Sequence, residues 1–335
     1  MEYRPLGRSG VKVSALCLGC MHFGGATDAD DSGRIIGAAR DAGINFLDTA
    51  NHYNRGTSEQ IVGQVIADQK CRDDVVLATK CSEPMGPGPN DVGSSRYHIM
   101  RECERSLRRL RTDRIDLYQM HFFDLSTPLE ESLRALDDLV RQGKVLYTGT
   151  SKWAPAWLVE AIMLADRHGW VKFVSEQPPY NLIDRSIENE LVWTCQRHGI
   201  GIIPWGPLGT GILSGKYRKD QRPPAGSRFE EVGGRLTPAA IDVADQIGAL
   251  AKEKGVATAE LSLAWVLRQP GVTAPIIGVR TMEHLACALE SLEIKLTDAD
   301  HQHINRVIAP GAAVSDYYDV NVFRRLRERT GLNIS

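Results

Sequence analysis

Ile44-Asn-Phe-Leu-Asp48, then an amphipathic stretch over 58–68, then Val75-Val-Leu-Ala-Thr-Lys80 follow one another directly in the chain. Two short apolar runs flanking a segment of helical spacing read as a strand, a helix and a strand. The same alternation extends in both directions. Strands are expected at 13–18, 44–48, 75–79, 115–120, 145–149, 173–176, 200–204 and 274–277, with helical stretches near 30–42, 58–68, 95–111, 129–142, 155–168, 186–198, 239–268 and 281–291. Strict β/α alternation implies a parallel sheet, and eight units close into a (β/α)8 TIM barrel. A doubly wound sheet is the weaker choice, because no G-x-G-x-x-G follows the first strand.

Before the first strand, Tyr3 to Leu6 and Val11 to Val13 flank Gly7 and Ser9-Gly10, which reads as an N-terminal β-hairpin able to plug the barrel floor. Two loops exceed what a barrel needs, Ser82 to Ser94 and Tyr217 to Thr237, and long catalytic-face loops usually shape or cover a site. Neither a linker nor an internal repeat beyond the βα unit interrupts the pattern, so residues 1–335 read as one domain.

In this fold active sites collect at the C-terminal ends of the strands. Asp48, Lys80 and His121 stand at or just beyond strands two, three and four, and Tyr53 lies five residues past Asp48. Ser151, Gln177, Trp205 and Gly278 complete the rim after strands five to eight. Alone, each would be an ordinary polar loop residue. Together they describe proton delivery to an oxygen. Tyrosine is a poor acid, with a pKa of about 10, but a nearby ammonium lowers it. Lys80 is the candidate ammonium, Asp48 its counter-ion, and His121 can hydrogen-bond a carbonyl oxygen. The partner attacking carbon would have to be a cofactor.

A net charge of −2 argues against a nucleic-acid footprint or a polybasic membrane patch. The six arginines between Arg101 and Arg114 share their segment with Ile99, Cys103, Leu107 and Leu110 at helical spacing, which places them mainly on a solvated face. The first residues do not resemble a signal peptide and no apolar run approaches 18 residues, so a cytoplasmic protein without a membrane anchor is expected. Seven cysteines, an odd number without a secreted-scaffold spacing, fit reduced thiols. Cys17 and Cys20 form a C-x-x-C, but on a strand and its exit they point to opposite faces, and no second pair completes a metal site.

Taken in order, Gly43 to Tyr53 with Gly56, Glu59 and Gly63, then Lys80, Asp116 to His121, Gly149-Thr-Ser151 and Pro275 to Arg280 resemble the aldo-keto reductases, over nearly the whole chain. The resemblance implies the barrel, NADPH (and NADP+) as cofactor, Tyr53 as general acid, Lys80 and Asp48 as its partners and His121 as the orienter of the substrate carbonyl. It implies further that Ser151 and Gln177 bind the nicotinamide carboxamide and Trp205 stacks on the ring, with Gly19, Met21, Asp48 and Lys152 beside them. Gly206, Pro207, Leu208, Thr210, Gly211 and Lys216 would cradle the pyrophosphate, Arg228 would add a basic contact from the covering loop, and Gly278, Arg280 and His284 would meet the adenosine end. Lys152, where many relatives have Asn, resembles the branch with potassium-channel β-subunits and bacterial sugar-metabolising reductases. Cys287-Ala288 replace the family's frequent Glu-Asn pair. The tail, with Tyr317, Tyr318 and Phe323, matches no substrate pattern.

Three functions compete. The first is NADPH-dependent reduction of an aldehyde, ketone or sugar-derived carbonyl. The second is enoyl (C=C) reduction of a nucleotide-linked deoxysugar, which would use the same hydride and proton groups. The third is an NADPH-binding interaction or sensor protein resembling a channel β-subunit, against which an intact tetrad argues. A homo-oligomer is compatible with the sequence, since an exterior helix face and an interface look alike.

Overall fold

The computed structural model describes residues 1–217, 233–315 and Tyr317. Strands β1 (Tyr3–Pro5) and β2 (Lys12–Ser14) pair antiparallel as the N-terminal hairpin. The barrel wall is β3 (Cys17–Gly19), β4 (Phe46–Asp48), β5 (Val76–Cys81), β6 (Ile115–Met120), β7 (Val145–Ser151), β8 (Phe173–Gln177), β9 (Gly201–Ile202) and β10 (Ile276–Gly278). The strands are parallel, each paired with its sequence neighbour, and β10 pairs with β3. Closure between β9 and β10 runs through single backbone bonds, Thr273 N–H to Ile202 O at 2.8 Å and Ile276 N–H to Pro204 O at 2.8 Å.

Two apolar cores follow from the alternation of strand side chains. Inside the barrel lie Leu6, Val13, Cys17, Phe46, Ala78, Leu117 and Ile203 with their neighbours, so the hairpin does close the floor. Its turn is tight there: Gly7 has φ +55°, and a Cβ would fall 2.1 Å from the Val174 carbonyl oxygen, which only glycine avoids. The larger core fills the layer between wall and helices, and holds Cys20. Cys17 and Cys20 thus face opposite sides of the wall, and all seven thiols are free. No helix among the described residues is long and apolar enough to cross a membrane.

The structure departs from the sequence reading at element boundaries. The run 13–18 splits at a bend over 15–16, its first half joining the hairpin and its second the wall. The stretch 239–268 is two helices, Pro238–Glu253 and Thr258–Leu267, broken where Gly255 turns left-handed at φ +70°. Within 186–198 a short 3-10 turn, Ser186–Glu188, precedes the helix Leu191–His198. A further helix, Asp298–Val307, was not foreseen, although Thr297 and Asp300 form a reciprocal cap at its start.

The arginine-rich helix, Arg96–Leu110, is also less solvated than its composition implied. Arg109 reaches inward to the fully buried Glu59 at 2.6 Å, and Arg105 to the fully buried Glu102 at 2.8 Å. Thr79 of β5 donates to Glu59 and Asn51 to Glu102, so this ionic network ties the helix to the wall and to the loop that carries Tyr53.

Candidate active site

Asp48 ends β4, Lys80 lies in the last turn of the pleat in β5, and His121 directly follows β6. Parallel strands leave these three at one mouth. Tyr53 opens a 3-10 turn, Tyr53–Gly56, in which Asn54 and Arg55 are left-handed at φ 47° and 55°. The Asn54 amide holds this turn by donating to the Met21 and Phe23 carbonyls at 3.1 and 2.8 Å.

Lys80 is the centre of the arrangement. Its fully buried ammonium donates to Asp48 Oδ1 at 2.5 Å, to the Thr49 carbonyl at 2.8 Å and to the Tyr53 hydroxyl at 3.3 Å, which uses all three of its protons. Burial alone would lower the Lys80 pKa, but Asp48 and Tyr53 outweigh it and raise the value. For Tyr53 the sign differs from the sequence expectation. Burial raises its pKa more than the Lys80 charge lowers it, and Asp48 adds to the rise, so the phenol is held in its acid form at neutral pH. His121 stands with its ring edge-on to Tyr53, centroids 5.9 Å apart.

Gln119 was missed by sequence reasoning. It is fully buried on β6, and its amide donates to Asp48 Oδ2 at 3.0 Å. Gln177, at the end of β8, donates to the same oxygen at 3.0 Å and to Gln119 Oε1 at 3.1 Å. A polar residue sharing its parity on β6 with Ile115 and Leu117 was the available signal.

Asp48, Tyr53, His121 and Gln177 line a cavity of about 420 Å³. Gly19, Met21, Ser151, Lys152 and Trp205 are also part of its lining. Gly206, Pro207, Leu208, Thr210, Gly211 and Lys216 continue the lining, and Gly278, Arg280 and His284 finish it with Cys287 and Ala288. Gly209 and Gly211 adopt φ 54° and 96° in the turn Gly209–Ser214, a conformation that glycine takes without strain. Within this lining Lys216, Arg280 and His284 stand close enough for charge to act between them. Burial lowers the pKa of Lys216 and of His284, and in each case the charge of Arg280 adds to the lowering. Arg228, Tyr318 and Phe323 lie outside the described residues.

Tyr317 also escaped the sequence reading. It is fully buried, its ring meets Trp205 edge-on at 5.9 Å, and its hydroxyl accepts from Thr210 at 3.1 Å. Its backbone N–H donates to Asp184 at 2.7 Å, and the Arg235 guanidinium covers its ring at 4.4 Å. A residue far along the chain thus braces both the aromatic wall and the glycine turn, and nothing local in the sequence announces it.

The profile of the Aldo/keto reductase family matches residues 15–309. The chain belongs to the aldo/keto reductase family. This aldo/keto reductase is 41% identical over 328 residues to the uncharacterized oxidoreductase YrpG of Bacillus subtilis, covering 95% of this chain and 99% of that one. It is 37% identical to a probable voltage-gated potassium channel subunit beta of Arabidopsis thaliana, over 88% of this chain and 92% of the other. It is 32% identical to the L-glyceraldehyde 3-phosphate reductase of Escherichia coli O157:H7, over 93% of each. The branch indicated by Lys152 is therefore the one in which its relatives fall. Membership supports an oxidoreductase of carbonyl compounds in general terms.

Proposed function

We propose that this aldo/keto reductase reduces an aldehyde, ketone or sugar-derived carbonyl with NADPH, Tyr53 acting as general acid. The observation that carries the reading is one cavity whose lining holds two chemically different groups: Asp48 and Tyr53, which Lys80 joins, and the basic set Lys216, Arg280 and His284. Three cationic or basic groups gathered in one lining are suited to an anion, and the planar guanidinium of Arg280 offers a fork to a 2′-phosphate.

The remaining lining fits the parts between. Glycines at positive φ let backbone N–H groups approach a pyrophosphate, with Lys216 adding charge. Trp205 offers a face for the nicotinamide, and Tyr317 holds that face. Ser151 and Gln177 would hold the carboxamide. Since the Gln177 NH2 is taken by Asp48 and Gln119, its carbonyl oxygen is the end it offers. The cofactor, when bound, supplies a hydride to the substrate carbon. His121 and Tyr53 then orient the carbonyl oxygen, and the phenol gives up its proton as negative charge develops there. Lys80 stabilises the phenolate left behind, and Asp48 keeps Lys80 charged and pointed.

The test is NADPH oxidation against aldehydes, ketoses, keto-sugars and an activated enone, with wild type and Tyr53→Phe. Wild type should turn over the carbonyls, and the variant should lose about 10² or more in kcat while NADPH affinity changes little. A variant keeping more than half of the wild-type kcat, with chemistry rate-limiting, would overturn the role of Tyr53. Turnover of the enone alone would transfer the same groups to C=C reduction.

A further inference from the structure

Glu83 is a charged residue with no part in the proton-transfer scheme, yet it is only 5% exposed and lines the cavity beside His52 and His121. The backbone is bent to put it there. Ser82 has φ +98°, a conformation that side chains other than glycine rarely adopt, and it is held by the Gly93 N–H on its carbonyl at 2.9 Å and by contact of its hydroxyl with that of Ser94 at 3.3 Å. Strain of this kind persists where the surroundings enforce it, and it collects at working sites. Lys152, whose ammonium lies 4.0 Å from Glu83 Oε1, is likewise left-handed at φ 61°. Two strand ends therefore turn sharply to bring a carboxylate and an ammonium to the same wall.

The carboxylate stands close to where a carbonyl would be reduced. One oxygen of Glu83 and one ring nitrogen each of His52 and His121 all lie within 4.8 Å of one another. Two imidazoles and a carboxylate are also the donor set of a divalent metal, but the Lys152 ammonium beside Glu83 opposes a second cation there. An uncharged hydrogen-bond donor suits the position better. A carbonyl oxygen is purely an acceptor, and an acceptor next to it on the substrate would be repelled by Glu83. A hydroxyl on the adjacent carbon would instead donate to it, while the carbonyl oxygen stays with Tyr53 and His121.

Building on the reductase reading, we propose that Glu83 is a specificity-determining residue that selects α-hydroxycarbonyl substrates by accepting the hydrogen bond of the hydroxyl next to the reacting carbonyl. A site that receives a hydroxyl favours a substrate that has one over an analogue that lacks it by the worth of that hydrogen bond. The Lys152 ammonium, 4.0 Å away, is the cation beside this carboxylate.

The experiment compares kcat/KM with NADPH for two isosteric pairs, lactaldehyde against isobutyraldehyde and hydroxyacetone against butanone, in wild type, Glu83→Gln and Glu83→Leu. Wild type should favour the hydroxylated member of each pair by about tenfold or more. In Glu83→Leu that ratio should fall to near one, and Glu83→Gln, which keeps the shape and an acceptor oxygen, should lie between. A wild-type ratio near one overturns the inference, as does a high ratio that survives in either variant; if Glu83→Leu does not fold, the isosteric Gln variant decides. Failure of wild type to oxidise NADPH with all four compounds counts against the reductase reading itself, whereas turnover without preference removes only the role of Glu83.

Discussion

Replacing Lys80 with methionine should cost stability and turnover by separable routes. The substitution strands Asp48, a side chain only 3% exposed, without the ammonium 2.5 Å away. Removing one partner of a buried ion pair costs about 3–5 kcal/mol, because the other charge stays buried without compensation. Asp48 keeps two amide donors, Gln119 and Gln177, each at 3.0 Å, which places the expected loss near the lower end, about 3 kcal/mol. The double variant Asp48→Asn with Lys80→Met removes the stranded charge and should recover at least half of that. Urea unfolding at pH 7, followed by circular dichroism, measures both. A single-variant loss below about 1 kcal/mol, or a double variant no more stable than the single, would refute the reasoning. Because the folded-state pKa of Lys80 is raised above 10.5, its contribution is fully present below that value and is lost only as pH climbs through the folded one. The stability gap should therefore hold from neutral pH to about 10 and close above it. Catalysis should not follow the rescue. Both variants lack the charge that favours the phenolate, so turnover should stay low and the basic limb of the kcat profile should move to higher pH in each.

Trp205→Leu should remove part of the NADPH quenching of intrinsic fluorescence and weaken binding by about 1 kcal/mol, the scale of one aromatic contact; undiminished quenching and affinity would place the nicotinamide elsewhere. Arg280→Ala should raise the NADPH Kd about tenfold or more and leave NADH nearly untouched, since only the former carries the 2′-phosphate. Equal losses for both cofactors in a titration would argue against that contact. Glu176 is fully buried behind Lys152, and burial raises its carboxyl from 4.5 to about 7 against the Thr150 hydroxyl and the Trp153 and Lys152 N–H groups that favour the charged form. The fold therefore keeps a proton that the unfolded chain has lost between pH 4.5 and 7, and stability falls by about 3 kcal/mol as pH rises through that window. Glu176→Gln cannot titrate and should lack this fall, so a gap between the two that is independent of pH in urea melts would remove the claim.

The alternation of apolar runs with helical stretches was enough to order eight strands and close them into a barrel, because strand parity and helix period are local properties of consecutive residues. Barrel topology then carried Asp48, Lys80 and His121 to one mouth without further information, since parallel strands end on the same face. Boundaries were less legible: Gly255 could as well sit within a helix, and only packing decides that it ends one. What the tertiary structure alone decided are the contacts between residues remote in sequence. The amide of Gln119 on Asp48, Arg109 on Glu59 and Tyr317 behind Trp205 each depend on distances set by other elements. The pKa of Tyr53 belongs with them. A nearby ammonium argued for a lowered value, yet desolvation grows with the number of surrounding atoms, which no local stretch of sequence encodes, and it is burial that sets the direction.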